Sequence, residues 1–197
     1  EATGKYGLGH KCFLLAGVCA RGRVLPGVAV PHMETLASDT GETVLLAMMR
    51  GRDIAWAAHT LGTRRLVANL EDYPPPDSYE TVTGRVLLAF APPEHLAEFL
   101  RAHPLSKSTG EHIRTRAELD EELEAIRKRG YAVIRRRRAD SLSAVGAPIR
   151  NHAGSVVAAV GISMPSTRFR NPHLTTIVQS VRRAADRIST ELGWHQP

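Results

Sequence analysis

The last third of the chain constrains the fold most, because strand-like runs there lead into a long amphipathic helix. Residues 131–138, 142–149 and 156–163 are rich in aliphatic and β-branched side chains, and residues 151–154 provide a turn between the last two runs. Apolar residues then recur at helical intervals from residue 174 to residue 192. Strands joined by short turns pair antiparallel, and an amphipathic helix covers one face of such a sheet. This region therefore predicts an α+β domain, with helices outside an antiparallel sheet.

An earlier pair of runs predicts a β-hairpin. Residues 43–50 and 54–59 are aliphatic and are separated by a short segment that includes Gly51. Residues 66–70 are expected to form a further strand. The three consecutive prolines at 74–76 exclude regular hydrogen-bonded structure, so they predict a loop before the next helix.

A helix is expected on the N-terminal side of this hairpin. Met33 and Leu36 lie at helical spacing, and Gly41 is well placed to end the helix. Pro26 and Pro31 are expected to lie before that helix, in the segment that approaches it.

The helix with the most complete end signals is predicted at residues 115–129. Thr115 and Glu118 match a capping box, Leu119 begins an apolar face, and Gly130 is expected to end the helix. We interpret this helix as a packing element without chemistry of its own.

Residues 81–90, TVTGRVLLAF, predict a helix whose first turn is suited to holding an anion. The first N–H groups of a helix have no intrahelical carbonyl partner, and they carry partial positive charge. Gly84 lets a ligand approach the backbone closely, while Thr81 and Thr83 supply hydroxyl groups. The same hydroxyls are common helix caps, so a role limited to capping stays open. The segment indicates a sensor pocket more than an active site.

Composition limits the class of protein without selecting a ligand. The chain has 197 residues, 43% hydrophobic and 23% charged, as in an ordinary soluble protein of one domain or a domain with an appendage. No apolar run approaches the roughly 18 residues that span a bilayer, and no signal peptide is recognisable. We therefore expect a cytoplasmic protein without membrane contact. The 26 basic and 20 acidic residues fit nucleic acid, acidic ligands or simple solubility equally well.

Sequence motifs for catalysis or metal binding are absent. Cys12 and Cys19 have no nearby ligand pattern, and the nine histidines are scattered without HxH or HExxH spacing. There is no GxSxG elbow, no P-loop and no GxGxxG after a strand. We therefore expect neither an enzyme nor a bound metal or cofactor.

Five motifs together resemble the IclR family of bacterial transcriptional regulators. They occur in family order and span essentially the whole chain: YGLG at 6–9, LASDTGETVLLAMMRG at 36–51, TGRVLLAF at 83–90, IRKRGYAV at 126–133 and GAPIRNHAGSVVAAVGISMP at 146–165. Each motif alone is degenerate, whereas five in register are specific.

This resemblance implies a domain organisation and a set of partners. Residues 21–197 resemble a GAF-like effector-binding domain, an antiparallel sheet flanked by helices. Residues 1–20 resemble the end of the wing of a winged helix-turn-helix, followed by a linker helix at 11–19, the DNA-binding domain itself being absent. The implied partners are a small organic acid or aromatic effector, operator DNA through the absent domain, and further copies in a homodimer or homotetramer. A stand-alone GAF-type sensor without DNA binding stays an alternative.

The resemblance also implies which positions contact the effector. Carried over by position, the candidate contacts are Thr81, Val82, Thr83, Gly84, Ala144, Gly161 and Ser163. The expected pocket wall consists of Met48, Tyr79 and Leu142, and Met49 and Trp56 are expected in the core or in this wall. Many relatives carry serine in place of Gly161, and some carry a polar residue in place of Ala144. An effector known for a relative therefore does not transfer to this chain.

Four consecutive arginines at 135–138 are the most unusual feature near this pocket. Side chains alternate on a strand, so Arg135 and Arg137 face one way and the other two face the opposite way. One pair could point into the pocket, where Arg137 would bind a carboxylate bidentately. A solvated strand edge, or a contact with acidic residues of another subunit, stays an alternative. Direct DNA contact is disfavoured, because no groove-reading pattern accompanies the cluster.

Overall fold

A computed structural model of the chain describes residues 24–51, 53–65, 78–105, 113–135, 142–169 and 171–195. Its helices are α1 (Val24–Thr40), α2 (Val82–Phe90), α3 (Pro93–Ala102), α4 (Arg116–Arg129) and α5 (Asn171–Glu191). Its strands are β1 (Thr43–Arg50), β2 (Asp53–Thr60), β3 (Ala132–Ile134), β4 (Leu142–Arg150) and β5 (Val156–Pro165). Short 3-10 turns occupy Ser78–Glu80 and Ser166–Arg168. The linker helix expected at 11–19, the strand expected at 66–70 and Arg137 lie outside the described residues.

The five described strands form one antiparallel sheet in the order β2, β1, β5, β4, β3. The predicted hairpin is present as β1 and β2, which meet at Gly51 with a φ of 63° that favours glycine. Strand β5 pairs with β1 as well as with β4, so residues far apart in sequence share the centre of the sheet. The predicted α+β class is confirmed.

The sheet has two faces that carry different layers, because side chains alternate along each strand. On one face, Val160 and Ile162 of β5 pack against α1 and α5 in the larger hydrophobic core. On the opposite face, Ala144 and Ala159 pack beneath α2, with α4 beyond it. We call these the α5 face and the α2 face.

Helix α1 differs from the sequence prediction at its start. It begins at Val24, so Pro26 lies in the first turn and Pro31 lies inside the helix. Pro26 costs no intrahelical hydrogen bond, because N–H groups in the first turn have no partner within the helix. Pro31, inside the helix, removes one such bond. The prediction was wrong here because tertiary packing, such as the complete burial of Met33, outweighs the local preference of proline. Gly41, with a φ of 73°, ends the helix as predicted.

Helix α4 begins with the predicted capping box. Thr115 Oγ1 accepts from the N–H of Glu118 at 3.2 Å, and Glu118 Oε2 accepts from the N–H of Arg114 at 2.7 Å and of Thr115 at 3.0 Å. These backbone hydrogen bonds, first the one from Arg114, lower the pKa of Glu118. Gly130 ends the helix with a φ of 79°, and Leu119 on its inner face is fully buried.

Strand β3 is shorter than predicted. It covers Ala132–Ile134, and Arg135 follows it without regular structure. The guanidinium carbon of Arg135 lies 5.6 Å from the centre of the Phe169 ring, a cation–π contact. Strand alternation therefore does not apply to Arg135, and the strand prediction was wrong at this residue.

Candidate functional site

Helix α2 lies directly on the sheet at two glycines. A Cβ atom at Gly161 would lie 3.1 Å from Thr83 Cγ2 and 3.2 Å from Val82 Cγ2, and one at Gly146 would lie 3.1 Å from Val82 Cβ. Both spaces are thus taken up by the first turn of α2. Glycine at these positions lets the helix approach the sheet more closely than any other residue would allow.

The first turn of α2 points toward one end of the sheet. Phe90 at the other end of the helix contacts Arg150, the last residue of β4, with the guanidinium carbon 4.8 Å from the ring centre. Because Val82 lies over Gly146, α2 runs along β4 toward Arg150, and its N-terminus faces the start of that strand. There, Thr43, Ser163 and Ala144 are side-by-side partners on neighbouring strands. We call these three residues the floor.

The N-terminus of α2 offers backbone donors above this floor. Thr81 caps the helix: its Oγ1 accepts from the N–H of Gly84 at 2.9 Å, and its carbonyl accepts from the N–H of Arg85 at 3.0 Å. The N–H groups of Val82 and Thr83 precede the first intrahelical carbonyl and so have no partner within the helix. Helix ends of this kind bind anions.

Thr83 adds an unusual side-chain group to this first turn. The residue is fully buried, and its Oγ1 is the buried side-chain polar atom for which the described residues provide no hydrogen-bond partner. An unsatisfied buried hydroxyl costs about 1–3 kcal/mol. Unpartnered buried groups of this kind call for an explanation, and a hydrogen bond to a ligand is one.

Arg85 brings a buried positive charge to the same turn. The residue is 6% exposed, and its Nε–H donates to the carbonyl oxygen of Tyr79 at 2.7 Å. Arg85 also lines a cavity of about 390 Å³ together with Ile134, which is the partner of Ala144 across the β3–β4 pair. Glu118, Glu121 and Glu122 of α4 also line this cavity, whereas none of the three floor residues does. Arg85 is not among the site residues predicted from the sequence, although a lone basic residue in an otherwise apolar helix is a usable signal.

A cluster of three charges lies at the same end of the sheet. Glu42 is 3% exposed, and Arg168 donates to it from Nε at 2.8 Å and from a terminal nitrogen at 2.6 Å. The Nε of Arg64 lies 3.3 Å from the same carboxylate, and Gly62 N–H donates to Thr43 Oγ1 at 3.4 Å. Both guanidinium groups contact one carboxylate, and Arg64 also donates to the carbonyl oxygen of Thr40 at the end of α1, from Nε at 3.3 Å and from a terminal nitrogen at 3.1 Å. This cluster is not predicted from the sequence, because Glu42 and Arg168 are 126 residues apart.

The structure brings together some of the predicted site residues. Val82 and Thr83 meet Gly161, while Ala144 and Ser163 lie side by side in the floor. Three further predicted residues are close in sequence to these groups: Gly84 in the first turn of α2, Leu142 two positions before Ala144 on β4, and Tyr79, which is buried just before α2.

Two predicted wall residues are placed elsewhere. Met48 packs against the core on the α5 face, and its partner on β5 is Ala158, which faces the same way. Its assignment to the pocket wall was wrong, since the sheet separates it from α2; the neighbouring Met49 packs on the α2 face. Trp56 on β2 is 37% exposed and was wrongly expected in the core or wall. A run of apolar residues does not reveal which strand will lie at the edge of the sheet.

The described residues lack two kinds of feature. In the parts of the chain that the structure describes, no three His, Cys, Asp or Glu side chains are grouped as metal ligands would be. Among the same residues, no helix is long and apolar enough to cross a membrane.

Comparison with known proteins gives one family. Residues 22–190 match the family model of the bacterial transcriptional regulator IclR C-terminal domain. The chain is similar to the HTH-type transcriptional regulator KipR of Bacillus subtilis, with 29% identity over an alignment of 197 residues that covers 98% of this chain and 78% of KipR. It is also similar to the HTH-type transcriptional regulator KdgR of Escherichia coli, with 26% identity, covering 97% of this chain and 73% of KdgR.

Solved structures agree with the sequence relatives. The Thermotoga maritima IclR is 31% identical with a TM-score of 0.75, and the match covers 98% of this chain and 79% of that one. The C-terminal domain of E. coli KdgR is 25% identical with a TM-score of 0.70, covering 86% of this chain and 99% of that domain. The chain belongs to the IclR family of transcriptional regulators and contains its C-terminal domain. It is not an enzyme, since its relatives are transcriptional regulators, which bind DNA and effectors and are usually oligomeric.

Proposed function

We propose that this chain is the effector-sensing and oligomerisation domain of a DNA-binding transcriptional regulator. Its effector is a small organic anion, such as an aromatic acid, which binds between the first turn of α2 and the floor. The observation that carries this proposal is the buried Thr83 hydroxyl without a described partner, at a helix end with two backbone donors. Similarity to KipR and KdgR, both HTH-type transcriptional regulators, favours this function over a stand-alone sensor. Action on operator DNA places the regulator in the bacterial cytoplasm.

The charges around the floor support an anionic effector. The N-terminal dipole of α2 is positive, and the guanidinium group of Arg85 belongs to the same helix, where the residue is buried. A carboxylate bound there gains charge-assisted hydrogen bonds. An aromatic or aliphatic remainder suits the small, apolar surface of Ala144 and its neighbours.

The effector acts by shifting a population of subunit arrangements. Ser163 in the floor belongs to β5, which is paired to both neighbouring strands at the centre of the sheet, whereas Thr83 belongs to α2. A ligand that binds both elements favours the arrangement in which they are correctly spaced, provided that it binds this arrangement more tightly. By linkage, effector and operator then change each other's affinity by the same factor. Mutually independent binding to the intact regulator would contradict this mechanism.

The Thr83→Val variant tests the site, because valine has nearly the shape of threonine but no hydroxyl. The probes are benzoate, salicylate and succinate, each titrated calorimetrically beside its uncharged amide. We expect the acids, and not the amides, to bind the wild-type chain, and the variant to bind them about tenfold more weakly, equivalent to about 1.4 kcal/mol. Its stability should be unchanged or higher, because an unsatisfied buried hydroxyl is removed.

Thr190→Val is the matched control for this experiment. Thr190 lies at an exposed position of α5, where its Oγ1 donates to the carbonyl of Asp186 at 2.9 Å, so acid binding should be unaffected. Equal binding of acids and amides would exclude the anionic effector, as would binding of none of the acids. Wild-type affinity in the Thr83→Val variant would exclude the site.

A further inference from the structure

A buried ion pair joins two of the three strands that supply the floor. Thr43 is the first residue of β1, and its partner on β5 is Ser163. Glu42 directly precedes Thr43, and Arg168 follows Ser163 along the chain, in the 3-10 turn after the end of β5. The ion pair of Glu42 and Arg168 therefore connects the start of β1 to the end of β5, directly beyond the paired floor residues.

The geometry of this ion pair fixes both partners. Nε and a terminal nitrogen of Arg168 donate to different oxygens of the Glu42 carboxylate, at 2.8 and 2.6 Å. Two parallel hydrogen bonds of this kind set the distance and the relative orientation of the two groups. Glu42 is 3% exposed, so its carboxylate depends on protein donors in place of water. The pair therefore resists separation of the two strand ends.

Glu42 is also held from the side of α1. Its N–H donates at 3.3 Å to Oγ1 of Thr40, the last residue of α1. Arg64 contacts both the Glu42 carboxylate and the carbonyl oxygen of Thr40. The carboxylate is thus fixed relative to α1 and to the start of β1, and Arg168 sets the end of β5 against it.

We infer that Glu42 and Arg168 are positioning residues of the effector site. Their ion pair holds the end of β5 at the start of β1, and so sets the spacing of Thr43 and Ser163 beneath the first turn of α2. This inference rests on the proposed effector site and adds residues that act on it through the floor.

The expected sign of the effect separates positioning from simple charge. Neutralising a carboxylate near a bound anion removes a repulsion, so an effect of charge alone would tighten the binding of an acid. Loss of the ion pair loosens the floor and should weaken the same binding. Removing the charge of Glu42 therefore gives opposite results under the two explanations.

Glu42→Gln is the variant for this test, because it removes the charge with little change in shape. Benzoate, salicylate and succinate are titrated calorimetrically into the wild-type chain and the variant. We expect the variant to bind the acids about fivefold more weakly, within the range for residues that modulate a site without touching its ligand. Equal or tighter binding overturns the positioning role.

Glu191→Gln is the matched control, since it makes the same chemical change in an ion pair away from the floor. Glu191 lies on α5, where its carboxylate is 2.7 Å from Nε2 of His32. Acid affinity should stay as in the wild type. An equal loss of affinity in Glu191→Gln would overturn the assignment to Glu42, because any lost ion pair would then have the same effect.

A double variant separates positioning from overall stability. Arg168→Gln alone leaves the buried Glu42 carboxylate without its main partner, which destabilises the fold, whereas adding Glu42→Gln removes the buried charge as well. Urea denaturation should show that the double variant regains stability, while its acid affinity stays low because two amides do not restore the paired hydrogen bonds. Affinity that recovers together with stability overturns the positioning role. If none of the acids binds the wild-type chain, the proposed effector site fails as well.

Discussion

The two faces of the sheet are built on different principles. On the α5 face, large aliphatic side chains such as Leu46, Val160 and Ile162 are fully buried against two long helices. On the α2 face, the strands contribute small residues, and α2 lies so close that a Cβ added at Gly146 or Gly161 would be crowded by atoms 3.0–3.2 Å away. The buried Thr83 hydroxyl without a described partner also belongs to this second layer.

Stability and recognition are therefore located on different faces of the sheet. Large apolar side chains on the α5 face provide burial, at about 25 cal/mol for each Å² removed from water. The α2 face gives up part of that burial, and there the chain concentrates a helix end, a buried hydroxyl and buried charge. Local departures from good packing and full hydrogen bonding often mark functional sites.

Truncation on the α5 face should have the largest effect on stability. Ile162 is fully buried, so Ile162→Ala should lower the free energy of unfolding by about 2–5 kcal/mol through lost burial and a cavity. Urea denaturation measures the change, and Ile54→Ala on the partly exposed β2 is the control, with a smaller loss expected. In the folded Ile162→Ala chain, affinity for the acid probes should stay as in the wild type. A large loss of affinity would contradict the assignment of stability to the α5 face and of ligand binding to the α2 face.

A single methyl group on the α2 face should affect both stability and binding. The Cβ of Gly161→Ala would lie 3.0 Å from the carbonyl oxygen of Val145 and 3.1 Å from Thr83 Cγ2, so α2 has to move outward. We expect a loss of about 1–3 kcal/mol in the free energy of unfolding, together with weaker binding of the acid probes. Thermal unfolding and calorimetric titration measure the two effects.

Gly27→Ala is the matched control for this substitution. Gly27 lies in α1, where an added Cβ would meet no atom within 4 Å, so alanine should stabilise the chain by about 0.5–1 kcal/mol. Acid binding should not change, because α1 covers the α5 face. If Gly161→Ala behaved like Gly27→Ala, the close packing of α2 on the sheet would not constrain the site.

Sequence reasoning located the helix end of this site because the signals are local. Thr81 caps α2 as expected, and the box of Thr115 and Glu118 starts α4, since cap hydrogen bonds join residues three or four positions apart. The ion pair between Glu42 and Arg168 could not be predicted, because no local sequence pattern links two residues that are 126 positions apart.

Errors about side-chain placement arose from the order and twist of the strands. Periodicity predicts that neighbouring residues of a strand face opposite ways, but it does not predict which face packs against which helix. Met48 was therefore assigned to the wrong side of the sheet, and Trp56 was expected inside because the edge position of β2 was unknown. The unpartnered hydroxyl of Thr83 likewise depends on how closely α2 approaches Gly161, a tertiary property.

The smallest expected effect concerns pH, at the N-terminus of α4, which packs beyond α2. The folded pKa of Glu118 lies below its ordinary 4.5, because its carboxylate accepts from the N–H groups of Arg114 and Thr115. A lowered folded pKa means that the ionised group stabilises the fold above pH 4.5, and that this contribution disappears as pH falls through the folded pKa. Glu118→Gln keeps a side-chain acceptor but does not titrate. The stability difference between wild type and variant should therefore be present at neutral pH and vanish in acid.

Urea denaturation between pH 2 and pH 7, at low and high salt, measures this difference. Glu124→Gln is an informative control, because the pKa of Glu124 is lowered mainly by Lys128, whose Nζ lies 2.6 Å from its carboxylate on the exposed surface. Salt screens an exposed ion pair, whereas backbone N–H groups at a helix end hold Glu118 through short-range hydrogen bonds. The Glu118 difference should therefore survive high salt better than the Glu124 difference. Equal salt sensitivity at the two sites would mean that long-range charge, and not the capping box, fixes the start of α4 on the α2 face.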